Sequence, residues 1–145
     1  MILFSSALEL KVNKIIKMNS LIVDAARDKI FLTHIVDKNI YTCSHENSKI
    51  NFEKMIILID DFLKINKSSM SKITAIYVNR GPGSFAGIRN FIAMTKAFFL
   101  TKKIEYYCFS FKDFKGVEQI KYENIPILCD KFGIKKNLIN PIYIS

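Results

Sequence analysis

The stretch Arg80-Gly81-Pro82-Gly83-Ser84-Phe85-Ala86-Gly87-Ile88-Arg89 decides how the chain is read. It holds three of the five glycines and two of only three arginines. It lies between an apolar run with strand character (Ile73 to Val78) and one with helix character (about Phe85 to Leu100). Glycine reaches positive φ without steric cost, Pro82 fixes its own φ, and Ser84 is placed to cap the helix that follows. Two readings of such a turn stand side by side. In one, it is a tight strand-to-helix connection that lets two elements pack closely. In the other, the exposed N–H groups of Gly81, Gly83, Ser84 and Gly87, with Arg80 and Arg89 beside them, receive an anion.

Working outward, the chain reads as alternating elements. Leu21 to Val23 is a short strand ending in Asp24, Ile30 to Val36 a second, Asp37-Lys38-Asn39 a turn, and Ile40 to Cys43 a third. From Asn51 to Ile65 the period changes to helical, with Phe52, Met55, Ile56, Ile59, Phe62 and Leu63 on one face and Ile57 and Leu58 beside it. Lys67-Ser68-Ser69 closes this helix and Ile73 to Val78 returns to a strand. The helix after the glycine turn carries Ile88, Phe91, Ile92, Phe98 and Phe99, widened by Met94 and Ala97, and Tyr106 to Phe109 is a fifth strand. The order β-β-β-α-β-α-β predicts an α/β fold, a mixed five-stranded sheet whose later strands are parallel and joined by crossover helices. Beyond Ser110 the expectation is a short helix over Phe111 to Ile120, a strand over Ile125 to Cys129, and an extended tail from Asn140 to Ser145.

Both crossover helices are apolar over more surface than one sheet contact needs, which leaves core packing and helix-to-helix association as competing uses. The 145 residues suit one domain with at most a fragment of a second. Residues 1–17 read as a misassigned start or a loose extension, because Met18-Asn19-Ser20-Leu21-Ile22-Val23-Asp24 has the pattern of a start leading into a strand. No apolar run reaches the roughly 18 residues of a spanning helix, so the expectation is a soluble, cytoplasmic protein without a membrane partner. Cys43, Cys108 and Cys129 form an odd, widely spaced set that suits buried thiols in a reducing compartment. The net charge of +9 suggests nucleic acid, but nineteen of the 22 basic residues are lysines spread along the chain, and arginine is the better phosphate fork.

Catalytic patterns are missing. His34 and His45 are too far apart in sequence for a helical metal pair, the glycine turn lacks the Gly-Lys-Ser/Thr ending of a P-loop, and Ser84 lacks the flanks of a nucleophile elbow. No metal and no catalytic residue is predicted. Asp24, at the end of the first strand, has a position common for active-site acids.

The segment Tyr77 to Arg89 resembles the signature of the TsaB (YeaZ) family, and Leu21-Ile22-Val23-Asp24 resembles that family's opening strand. The pattern from residue 18 to about 114 is similar to its N-terminal lobe, one of two tandem actin-like, ribonuclease H-like (ASKHA) lobes of the kind found in acetate kinases, Hsc70 and actin. Ala86 departs from the family's usual threonine. Residues 115–145 look like a remnant of a strongly shortened second lobe, with Pro126 to Asp130 similar to its opening strand and Asn140 to Ile144 to its closing one. The resemblance implies a non-catalytic scaffold that pairs with the catalytic subunit TsaD, meets the ATPase TsaE, and supports threonylcarbamoyl transfer to the adenosine beside the anticodon of tRNA. ATP and metal then belong to the partners, since this chain has no His-x-x-x-His pair. By the same analogy Phe52, Met55, Ile56, Ile59, Ile88, Ile92 and Met94 lie near the partner contact, which a homodimer would share, and Arg80 and Arg89 near phosphate or partner. An actin-like nucleotide-binding enzyme and a basic RNA-binding module are the rival readings.

Overall fold

The computed structural model describes residues 19–83, 92–93, 95–97, 103–138 and 140–142. Five strands, β1 (Ser20–Asp24), β2 (Lys29–Val36), β3 (Asn39–Glu46), β4 (Ala75–Asn79) and β5 (Glu105–Phe109), form one sheet in the order β3-β2-β1-β4-β5. β1, β2 and β3 are an antiparallel meander, while β4 runs parallel to β1 and β5 parallel to β4. This is the mixed sheet that the element order predicts. The β2–β3 turn is two residues long, Asp37 and Lys38, both at positive φ, which matches the twist of an antiparallel ribbon.

Side-chain alternation divides the sheet into two buried faces. Leu21 and Val23 of β1, Ile30 and Leu32 of β2, Ile76 and Val78 of β4 and Tyr106 and Cys108 of β5 meet helices α1 (Lys49–Glu53) and α2 (Met55–Ile65). The alternate residues, among them Ile22, Ile35, Tyr77 and Phe109, meet the segment from Phe111 to Ile134. β1 and β4 are buried along their whole length because layers cover them on both sides.

The predicted helix over 51–65 starts earlier and breaks once. Ser48 caps α1 by accepting from the Asn51 amide at 3.2 Å, and Lys54 separates α1 from α2. α2 ends in a Schellman arrangement. The Ser68 amide donates to the Leu63 carbonyl at 2.8 Å, the Lys67 amide donates to that of Lys64 at 3.0 Å, and Lys67 takes the left-handed conformation. Met55, Ile59, Phe62 and Leu63 bury one face of α2, each contributing about 1.5–3 kcal/mol of apolar burial. In the second crossover, between β4 and β5, residues 92–93 and 95–97 are helical.

The C-terminal third departs from expectation. In place of a helix over 111–120 there is one 3-10 turn, Phe111–Asp113. Ser110 caps it, and the Asp113 carboxylate in return accepts from the Ser110 amide at 2.8 Å. Gly116 at positive φ then turns the chain away. Residues 125–129, read above as a strand, belong to a helix, α3 (Ile125–Lys131). Pro126 is tolerated in its first turn, where no intrahelical N–H is required, and Ile125, Leu128 and Cys129 fall on one helical face against the sheet. The apolar run was too short for its period to separate strand from buried helix. The outer edge of β5 is covered: the Asn137 amide donates to the Tyr106 carbonyl at 2.7 Å, and its side-chain oxygen accepts from the Tyr106 amide at 3.1 Å.

His34 of β2 ties α2 to the sheet. It is fully buried beside Tyr41 and Phe62, with Nε2 2.6 Å from Asn19 Oδ1 and Nδ1 3.5 Å from Asn66 Nδ2. Those partners suit the neutral ring, with Nε2–H donating to Asn19 and Nδ1 accepting from Asn66. Burial holds its pKa below the ordinary 6.5. As pH falls below 6.5 the unfolded chain takes up a proton that the folded chain refuses, so stability present above that value is lost toward the lower, folded pKa. Urea unfolding at pH 7 and 5.5 is expected to show this loss, and His34→Gln to remove most of the pH dependence. An equal loss in the variant would place its origin elsewhere.

Candidate functional site

The crevice of interest opens at the carboxyl ends of β1 and β4. β1 is followed by β2 on one flank of this parallel pair and β4 by β5 on the other, a reversal of strand order of the kind at which open α/β sheets receive ligands. Asp24 ends β1, Asn79 ends β4, and Gly81-Pro82-Gly83 follows after Arg80. Asp24 is wholly buried. Its Oδ1 accepts from the Ala26 amide and from Asn79 Nδ2, both at 3.0 Å, and its Oδ2 accepts from the Tyr122 hydroxyl at 2.6 Å. Arg27 Nη1 in turn donates to Tyr122 Oη at 3.1 Å. Phe31 and Phe111 frame this relay, with ring centroids 5.5 Å and 6.2 Å from that of Tyr122 and the guanidinium 5.6 Å from each ring. Burial pushes the Asp24 pKa above the usual carboxylate range, against the opposing pull of its three donors and of Arg27. Burial and the adjacent carboxylate likewise push the Tyr122 phenol up, so it stays a donor.

The glycine turn is built for closeness. The Gly81 amide donates to Asn79 Oδ1 at 2.9 Å, and Gly81 takes φ +111. A Cβ on Gly83 would stand 2.7 Å from both the Cβ and the carbonyl oxygen of Ala26 and 2.8 Å from its Cα. The loop after β4 therefore rides directly over the loop after β1. Of the two readings of the turn, this contact is the one that the described residues display.

Arg80 corrects an expectation. Its guanidinium does not face an open anion site. Nη2 lies 2.7 Å from Asp113 Oδ1, Nε 3.4 Å from Oδ2, and Nη1 donates to the Asn140 carbonyl at 3.1 Å. Its backbone continues the pairing, with the amide donating to Phe109 and the carbonyl accepting from Ile142. Arg80 clamps the C-terminal segment to the sheet. Ser84, Gly87, Ile88, Arg89 and Met94 lie outside the described residues.

The helix residues expected at a partner contact divide. Phe52, Met55 and Ile59 are 8%, 4% and 0% exposed, spent on the chain's own sheet, so they are withdrawn from that surface. Ile56 and its neighbour Ile57 are 55% and 57% exposed on the outer side of α2, joined by Ile50 of α1. Ile92 is half-buried.

Elsewhere, a cleft of about 180 Å³ lies among Arg80, Cys108, Asp113, Ile134, Lys135 and Asn140. It is below the roughly 300–1,000 Å³ of pockets for drug-sized ligands. Burial pushes the Cys43 and Cys108 thiols up to about 11, making them poor nucleophiles. Among the described residues no three of His, Cys, Asp and Glu come together, and no helix is long and apolar enough to cross a membrane.

Tyr122 and Arg27 escaped the reading of the sequence. Tyr122 sits 98 positions from Asp24, and nothing local announces the pairing. Arg27 had a signal, since the scarcity that singles out Arg80 and Arg89 applies equally to the third arginine.

Strand order and the parallel β1–β4 and β4–β5 pairs define an α/β unit with a mixed sheet of the ribonuclease H-like fold. Solved structures with this arrangement include YeaZ from Pseudomonas aeruginosa, with TM-score 0.60 and 17% identity over 64% of this chain. They also include an uncharacterized protein with similarity to peptidase YEAZ from the same organism, with the same score, identity and coverage. The chain matches 44% and 43% of the lengths of those two chains. No protein-family model and no curated protein sequence matches it.

Proposed function

We propose that this chain is a TsaB-like scaffold subunit that supports threonylcarbamoyl transfer to tRNA by docking the outer face of α1 and α2 against a TsaD-like catalytic subunit. The observation that carries the reading is the pair Ile56 and Ile57, large apolar side chains more than half exposed on a helix whose opposite face already fills the core. Large apolar side chains exposed side by side on the outer face of a helix are the kind of patch that marks a protein contact surface. The shared fold with YeaZ and the resemblance over Tyr77 to Arg89 support the choice of partner. In this reading a TsaE-like ATPase and tRNA join through the assembly, and ATP and metal are held by the partner subunits.

Native mass spectrometry of the chain co-expressed with the TsaD-like protein of its own genome tests the reading. A one-to-one complex is expected. Two separate species at micromolar concentrations would leave the likeness as shared ancestry of fold.

A further inference from the structure

Actin-like lobes belong to a class that places nucleotide phosphates and their cation at the crevice beyond β1 and β4, and this chain's residues do not fit that group. We propose that the chain keeps this crevice shut itself: the segment after β5 acts as an intramolecular plug, with Tyr122, steadied by Arg27, occupying the face of Asp24 that a cation–phosphate pair would need.

The arrangement is specific at each point. An acid that serves a phosphate-bound cation needs an oxygen open to water or metal. Asp24 has none open, since Oδ1 takes two N–H donors, Oδ2 takes the Tyr122 hydroxyl, and the residue has no exposed surface. A phosphate cradle needs outward-facing backbone amides. The Gly81 amide is turned inward onto Asn79 Oδ1, and Gly83 lies against Ala26 with no room for even a Cβ. The two described arginines at this end of the sheet are also committed, Arg80 to Asp113 and the Asn140 carbonyl, Arg27 to Tyr122 and the Phe31 and Phe111 rings. These contacts tie the 111–142 segment to the strand ends at two independent points, Asp24 and Arg80. The plug does not depend on the scaffold reading, and failure of one leaves the other standing.

The test is amide hydrogen exchange on the full chain, wild type and Tyr122→Phe, paired with calorimetric titration of Mg²⁺–ATP. The plug predicts slow exchange at the Ala26 and Gly81 amides, faster by about tenfold or more in Tyr122→Phe as a hydrogen bond to a buried carboxylate is lost, with the β1–β4 ladder unchanged. Arg27→Gln, a change at an exposed position, is expected to speed the same amides by a smaller factor. Wild type is expected to give no ATP heat. Unchanged Ala26 exchange in Tyr122→Phe would overturn the proposal, as would wild-type ATP binding tighter than about 100 μM that protects residues 24–26 and 81–83.

Discussion

Gly83→Ala is expected to destabilise the chain by about 3 kcal/mol, the upper end of overpacking costs, and to lower the yield of folded protein. The added carbon would meet the Cα, Cβ and carbonyl oxygen of Ala26 at 2.7–2.8 Å. None of these atoms is the far end of a flexible side chain. Ala26 is fixed by the bond from its amide to Asp24, and Asp24 is fixed by Asn79 and Tyr122, so a shift of the loop would disturb the only buried carboxylate among the described residues. Gly116→Ala is the control. Gly116, unlike Gly83, sits at positive φ, and no atom lies within 4 Å of its virtual Cβ, so its cost should stay near the roughly 1 kcal/mol of backbone strain. Urea unfolding distinguishes the two, and equal costs would mean that close approach is not what Gly83 provides.

That glycine shows how far the residues themselves carried the reading. Flanking strand and helix patterns located the turn, and close packing was one of its two stated uses. The Ala26 partner was not legible, because a contact between loops 57 residues apart leaves no periodic trace. Short runs rich in β-branched and aromatic residues, such as Leu21 to Val23 and Ile30 to Val36, placed the strands correctly, because the Asp24 and Asp37-Lys38-Asn39 breaks that end them leave no length for a helix. The stripe on α2 was legible as too broad but not as divided. Every position from Met55 to Ile59 is apolar, so composition could not say that Met55 and Ile59 turn inward while Ile56 and Ile57 turn out. α3 was misread for a related reason. Ile125 to Cys129 is five residues long with a proline inside, and only the aromatic face formed by Tyr77, Phe109 and Phe114 makes the helix the better burial. The Asp24–Tyr122 pair is a tertiary fact with no local signature.

Ile57→Asp, and Ile56→Asp beside it, are expected to weaken the complex with the TsaD-like subunit at least a hundredfold. Truncating a hot-spot residue at the centre of an interface costs about 2 kcal/mol or more, and an aspartate adds an unpaired charge that the contact would have to desolvate. Both positions are more than half exposed, so folding should change by no more than about 0.5 kcal/mol, which separates loss of docking from loss of structure. Asp60 and Asp61 lie one turn further along the same helix, and because Asp60 is paired with Lys64 at 2.8 Å the like-charge cost within the helix stays at about a few tenths of a kcal/mol. Affinity measured for the two variants, with their unfolding curves alongside, checks the prediction. Complexes that survive both substitutions would move the contact away from α2.

The most direct measurement is the threonylcarbamoyladenosine content of tRNA, read by mass spectrometry of digested nucleosides, in cells whose native copy is replaced by the Ile56→Asp, Ile57→Asp double variant. The account predicts that the modified nucleoside falls to the level of a strain lacking the chain, while a double Ile→Val variant keeps it. Full modification with the aspartate pair in place, and the protein present at normal abundance, would contradict the claim that the outer face of α2 is what this chain contributes.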